Sequence, residues 1–149
     1  MASSELPQQP IGLSPSPGGE ALPTTTVYEL VGGEPAFRKL VHEFYKGVAE
    51  DPLLRPMYPE EDLSGAEDRL ALFLIQYWGG PTIYSDQRGH PRLRMRHAPF
   101  AIGPAERDAW IKHMRVALTT LELEPQLDQL VWGYLARAAE SMRNRDTSA

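Results

Sequence analysis

The chain has 149 residues, of which 42% are hydrophobic and 23% charged, with a formal net charge of −5 and no cysteine. That length favours one domain with a single core, and the acidic balance argues against a nucleic-acid binder, which carries a clustered basic excess. Disulfides, thiolate ligands and cysteine nucleophiles are excluded. No apolar run approaches the roughly 20 residues of a membrane span, and the N-terminus does not read as a secretory signal, so a cytoplasmic protein is the expectation.

Residues 1–26 hold five Pro, three Gly and no aromatic side chain. Such a stretch buries too little surface to offset its ordering entropy. It is expected to be a disordered tail, with a folded domain at 27–149 whose last few residues fray. Periodicity begins after Tyr28. In "EPAFRKLVHEFYKGVAED" the residues Phe37, Leu40, Val41, Phe44, Tyr45 and Val48 share one helical face. Pro35 suits its first position, and Asp51-Pro52 ends it. "PLLRPMYP" is too punctuated for a long helix.

A second helix is expected over "SGAEDRLALFLIQYWGG", with Ser64 and Glu67 as a capping box and Gly79-Gly80-Pro81 as the stop. Ala66, Leu70, Phe73, Leu74, Tyr77 and Trp78 form its apolar face. Pro104 opens a third helix to about residue 121, carrying Trp110, Met114, Ala117 and Leu118. Pro125 opens a fourth, with Leu127, Val131, Tyr134, Leu135, Ala138 and Met142 on one side. No segment shows the alternation of a strand. The fold class is all-α.

Between the second and third helices lies "GGPTIYSDQRGHPRLRMRHAPF", residues 79–100, with three Gly, three Pro, four Arg and two of the four His. Helix connections in such domains normally run two to eight residues, so a segment this long is either misread or functional. Its chemistry sits at the C-terminal end. Arg92, Arg94 and Arg96 alternate with Leu93 and Met95, and His97, Ala98, Pro99 and Phe100 follow. Cations sent one way and apolar groups the other would suit a flat ligand with an apolar body and an anionic edge. A solvated basic loop that plugs Leu93 and Met95 into the core is the plainer alternative.

A haem meets that demand, since its macrocycle wants apolar contacts, its propionates want arginine and its iron wants a neutral imidazole. His90, between Gly and Pro, reads as a turn residue, and His42 stands among charged neighbours. His113, beside the apolar face of the third helix, competes with His97 as ligand.

From about Val27 to Arg145 the sequence resembles the group II truncated haemoglobins, the O-type two-over-two globins. The stretches that carry the resemblance are "YELVGGEPAFRKLVHEFYKGVAEDP", "LRPMYPEEDLSGAEDRLALFLIQYWGGP", "YSDQRGHPRLRMRHAPF" and "ERDAWIKHM". The resemblance implies a truncated globin-like two-over-two helical sandwich around haem b (iron protoporphyrin IX), with the helix that bears the iron ligand shrunk to about a turn. It makes His97 the proximal ligand of a five-coordinate iron, and Tyr45, Tyr58 and Trp110 the polar residues of the distal side. Ala66 and Leu70 would line that side. Phe73, Leu74, Met95, Phe100, Met114 and Tyr134 would cradle the macrocycle, and Arg94, Arg96 and Tyr84 would meet the propionates.

Donors worth about 1 to 3 kcal/mol each imply slow release of O2. Two phenols beside an oxidising iron also invite a covalent Tyr45–Tyr58 link. Related activities are nitric oxide dioxygenation and peroxide consumption, for which an external reductase must supply electrons, since the chain has no flavin or nicotinamide motif. O2 and other diatomic gases are the expected partners; a homodimer stays open. The competing classes are a cofactor-free helical interaction module and a His/carboxylate hydrolase or metalloprotein, the latter without recognisable ligand spacing.

Overall fold

The computed structural model describes residues 25–146, and the expected tail over residues 1–24 lies outside them. Seven α-helices and a short 3-10 turn follow one another: α1 Val27–Val31, α2 Gly33–Ala49, the 3-10 turn Arg55–Met57, α3 Ser64–Tyr77, α4 Ile83–Arg88, α5 Leu93–His97, α6 Pro104–Thr119 and α7 Pro125–Ser141. The described residues contain no strand.

The four long helices are the four that the periodicity predicts. α2 buries Phe37, Leu40, Val41, Phe44, Tyr45 and Val48, and α7 buries Val131, Tyr134, Leu135 and Ala139. Pro104 and Pro125 each stand at a helix start, where the missing N–H costs nothing. α2 packs on α3, α6 packs on α7, and contact between α2 and α6 joins the two pairs. The result is a sandwich of two helices over two.

Close approach at the α2–α6 crossing depends on Gly47, where a Cβ would collide with the His113 ring. Two further glycines shape the end of α3. Gly79 takes a φ of 103°, open to glycine at little cost, and a Cβ there would lie 2.9 Å from Thr26. At Gly80 it would lie 2.7 Å from Ile75 and 2.8 Å from Tyr28. The chain can therefore press α1 onto the end of α3, where the Tyr28 amide donates to the Trp78 carbonyl at 2.9 Å.

The helix boundaries differ from the sequence reading at four places. Pro35, expected at the first position of its helix, is the third residue of α2, which begins at Gly33. Thr26 belongs to the fold, because it closes a reciprocal capping box with Glu29 at the start of α1. Ser64 is already helical and does not cap. The Asp62 carboxylate accepts from the Ser64 amide at 2.8 Å, while Glu67 pairs with His42 at 3.1 Å. Residues 79–100 also contain helix, in two short pieces, α4 and α5, separated by Gly89 and Pro91. Each is too short to show a period.

Candidate functional site

α3 and α7 meet through the stacked rings of Tyr77 and Tyr134, 4.0 Å apart, and both line an open cavity of about 380 Å³. Ala66, Arg69, Leu70, Phe73 and Leu74 come from α3. Tyr134, Leu135, Ala138 and Ala139 come from α7, and α2, the 51–60 segment, α5 and α6 close the remaining sides. The size and the mainly apolar walls with a few polar groups are those of a small-molecule or cofactor site.

On one wall stands α5. Arg92 turns the chain into this helix with φ 48°, a left-handed conformation that costs a non-glycine residue about 1 to 2 kcal/mol. The Arg96 guanidinium braces the turn from inside, donating from Nε to the Pro91 carbonyl at 2.6 Å and from a terminal nitrogen to the Arg88 carbonyl at 3.1 Å. Leu93 and His97, one helical turn apart, both line the cavity. His97 Nδ1 lies 2.7 Å from the Leu93 carbonyl. A carbonyl only accepts, so Nδ1 carries a proton, and in the neutral form of the ring Nε2 is the nitrogen with a lone pair to give.

The other three histidines are placed differently. His113, the competing ligand, donates from Nε2 to Asp51 at 2.6 Å and does not line the cavity. His42 faces Glu67 at the surface, and His90 is exposed in the loop before α5.

Tyr45, Tyr58 and Trp110 all border the same cavity. Tyr45 is buried near the end of α2, and its ring meets that of Tyr58 edge-on with centroids 5.5 Å apart. Phe44 wedges behind both Tyr45 and Trp110, at 4.9 and 5.2 Å. Tyr58 leaves the 3-10 turn on a backbone fixed by Arg55, which donates to the carbonyls of Tyr58, Glu60 and Glu61 at 2.9, 2.8 and 2.7 Å. Burial pushes the Tyr45 phenol well above the ordinary tyrosine range, with the neighbouring Tyr58 phenol adding to the shift. Burial also raises Tyr58, opposed by its hydrogen bond with Tyr45. Both hydroxyls are therefore neutral donors at physiological pH.

Of the cradle and propionate residues expected from the resemblance, Phe73, Leu74, Tyr84, Arg96, Phe100 and Tyr134 line the cavity, as do Ala66 and Leu70. Two cradle residues do not. Met95 is 65% exposed, because it sits about 200° around α5 from both Leu93 and His97. Met114 is fully buried, but in the helical core and not on the cavity wall. The side chain of Arg94 lies outside the described residues, and Arg96 is committed to backbone carbonyls.

The sequence reading overlooked Arg69 and Arg88. Both reach the cavity, Arg69 facing Glu60 at 3.6 Å and Arg88 lying over the Tyr84 ring at 5.9 Å. Arg69 was in principle legible, since residues 66, 69, 70 and 73 form one stripe at helical spacing. Arg88, on a six-residue helix, offers no such signal.

Among the described residues no group of three or more His, Asp or Glu converges. A bare metal ion would find one imidazole here. A metal that brings its own in-plane donors needs only that one, together with apolar walls and cations for its acidic edge, and the cavity has all of these.

Comparison with known proteins gives the family. Residues 26–144 match the model of the bacterial-like globin family. The chain is 40% identical over 118 residues, 79% of its length, to the group 2 truncated hemoglobin YjbI of Bacillus subtilis, covering 88% of that protein. A thermostable hemoglobin of the actinobacterium Thermobifida fusca superposes with a TM-score of 0.80 at 61% identity, over 80% of this chain and 98% of that one. The truncated oxygen-avid haemoglobin of Bacillus subtilis gives 0.76 at 38% identity, over 80% and 100%. Globins hold haem and bind O2, which sets aside the cofactor-free module and the hydrolase. With a single imidazole on the wall of a cavity between two pairs of helices, and with these matches across the whole folded part, the chain belongs to the bacterial-like globins, among the group II truncated haemoglobins.

Proposed function

We propose that the cavity holds haem b with His97 as its proximal ligand, and that the chain binds O2 tightly and releases it slowly. The observation that carries this reading is the His97 ring, whose Nδ1 proton is committed to Leu93 so that Nε2 is free to ligate from the wall of an apolar pocket. Haem, if bound, would supply an iron that takes up a diatomic gas.

The Leu93 carbonyl fixes the imidazole's tautomer and raises its basicity as a ligand. Tyr45, Tyr58 and Trp110 present O–H and N–H donors on rigid rings, in a site whose walls exclude much of the water that would compete for them. Each is a donor to charge that develops on a diatomic ligand, and each contributes on the order of 1 to 3 kcal/mol. Arg69, Arg88 and the Tyr84 hydroxyl, all on the cavity wall, would meet the propionates, with Arg96 retained as the brace of α5. Ala66 leaves the distal wall open and donates nothing. Catalytic use of the same site, on nitric oxide or on peroxide, needs electrons from a separate reductase.

The test is the absorption spectrum of the haem-loaded protein beside His97→Ala. The expected result is a strong Soret band near 410 nm for the parent and loss of most haem from the variant. A variant that keeps an unchanged five-coordinate ferrous spectrum would move the ligand elsewhere.

A further inference from the structure

The helix that carries His97 does not support itself. α5 has five residues, far below the roughly 12 to 15 at which a helix persists alone in water, and among the described residues it makes no extended packing with any other helix. Its last carbonyls, like those of any helix end, need partners from outside. On the N-terminal side the Arg96 guanidinium is the brace. On the C-terminal side the Ala98 and Phe100 amides donate to the Met95 and His97 carbonyls at 3.2 and 3.0 Å, and a further partner for this end comes from the far end of the chain.

Beyond α7 the backbone returns across the loop that follows α5, and Asn144 engages that loop at every polar atom of its side chain. Asn144 Oδ1 accepts from the Ile102 amide at 2.9 Å. Its Nδ2 donates to the Phe100 carbonyl at 2.8 Å and stands 3.5 Å from the carbonyl of His97 itself. The amide orientation follows from its partners, one a donor and two acceptors, because a flipped group would face all three with the wrong atom. Two backbone hydrogen bonds, from the Asn144 and Arg145 amides to the Ile102 carbonyl at 2.9 and 3.1 Å, hold the segment in place. Phe100 and Ile102 both line the cavity.

We propose that Asn144 is a positioning residue for the His97 imidazole, so that the segment after α7 sets the angle and firmness of that ring through the backbone that carries it. The proposal rests on His97 being the iron ligand. Its physical content is that a one-turn helix pinned at both ends, by Arg96 and by Asn144, keeps the imidazole plane from rocking. With one pin removed, the strained turn at Arg92 and the loop at 98–102 are free to relax.

The experiment uses the full-length, haem-loaded protein and the low-frequency resonance Raman band of the ferrous iron–imidazole stretch, together with the rate of haem transfer to excess apomyoglobin. Asn144→Ala removes all three side-chain contacts and leaves the two backbone hydrogen bonds to Ile102. Asn144→Asp keeps an acceptor for Ile102 and loses only the donors to Phe100 and His97, which preserves a folded variant if the first fails to fold. Arg115→Ala is the control for plain destabilisation, since it breaks the Arg115–Asp128 pair, 2.6 Å, whose residues do not line the cavity.

The expected result is a shifted and broadened stretch in both Asn144 variants, with haem transfer faster by roughly ten-fold, while Arg115→Ala lowers the melting temperature and leaves the band in place. A parent-like band and transfer rate in the Asn144 variants overturns the proposal, as does a change no larger than the control shows. A parent protein without the band, or one that keeps it in His97→Ala, overturns the ligand assignment first and the clamp with it.

Discussion

Where α2 and α6 pack together, both contribute fully buried side chains: Phe37, Leu40, Val41, Phe44 and Val48 from one helix, Met114, Ala117 and Leu118 from the other. Around His97 none of the described α5 side chains is fully buried, and the backbone is held through carbonyls that accept from Arg96, Asn144 and the His97 ring. The first region is stabilised by area removed from water, the second by a few directional contacts around a space left open. Packing tolerates no void at the crossing, whereas the site needs one. A globin this short keeps both by concentrating its hydrophobic residues in two helix pairs and reducing the helix that carries His97 to little more than a turn.

That contrast makes opposite signatures for substitutions in the two regions. The largest expected effect on stability is Phe37→Ala. Phe37 is wholly buried, stacks on Tyr28 at 6.0 Å and does not line the cavity. The loss should be about 3 to 5 kcal/mol in denaturant unfolding, with the O2 dissociation rate of the folded fraction unchanged. An altered dissociation rate would mean that the two regions are mechanically coupled.

Tyr45→Phe should do the reverse. It keeps the ring against Phe44 and Tyr58 and deletes one hydroxyl from the cavity wall. A donor worth about 1 to 3 kcal/mol corresponds to O2 release faster by roughly five- to more than a hundred-fold, read by stopped-flow, with little change in melting temperature. An unchanged rate would take Tyr45 out of the donor set.

The smallest effect is expected where the two regions join. Asp51 accepts from the Leu53 amide at 2.8 Å and from His113 at 2.6 Å, tying the segment that leads to Tyr58 onto α6. The His113 hydrogen bond holds the Asp51 carboxyl below its ordinary value of 3.8. A folded pKa lower than the unfolded one gives stability that is present above pH 3.8 and is lost as pH falls through the folded value. Asp51→Asn should therefore flatten the acid limb of the stability–pH curve and leave the curve near neutrality only slightly lowered. An acid limb of parent steepness would assign that titration to other carboxylates.

The legibility of the two regions follows the same division. The helical crossing was readable because burial by a helix imprints a three-to-four-residue period over 16 or 17 residues. Tyr45, Trp110, Phe73 and Tyr134 could be placed on faces for that reason, while their common cavity came only from the family likeness. The errors fall where period gives no help. Met95 alternates with arginines in a way that suits an extended path, but the backbone there is helical, which turns its side chain to solvent. Ser64 and Glu67 have capping-box spacing, yet Asp62, two residues before Ser64, takes the bond. Asn144 stood in a terminus with no pattern at all.

The amino-acid order by itself determined the four long helices, their proline starts and glycine stop, and the one histidine set among apolar and cationic neighbours at the end of a long irregular segment. Those features are local, fixed by backbone sterics and by the spacing of side chains along one chain. The folded molecule alone decided which arginines face the cavity, which tautomer His97 takes, why His113 is tied to Asp51 instead, and that residue 144 grips the loop after α5. His113 meets Asp51, and Asn144 meets Phe100, across tens of residues and within 3 Å, and a meeting of that kind leaves no mark on either stretch of sequence alone. The His97–Leu93 bond is local but needs a helical backbone too short to show a period.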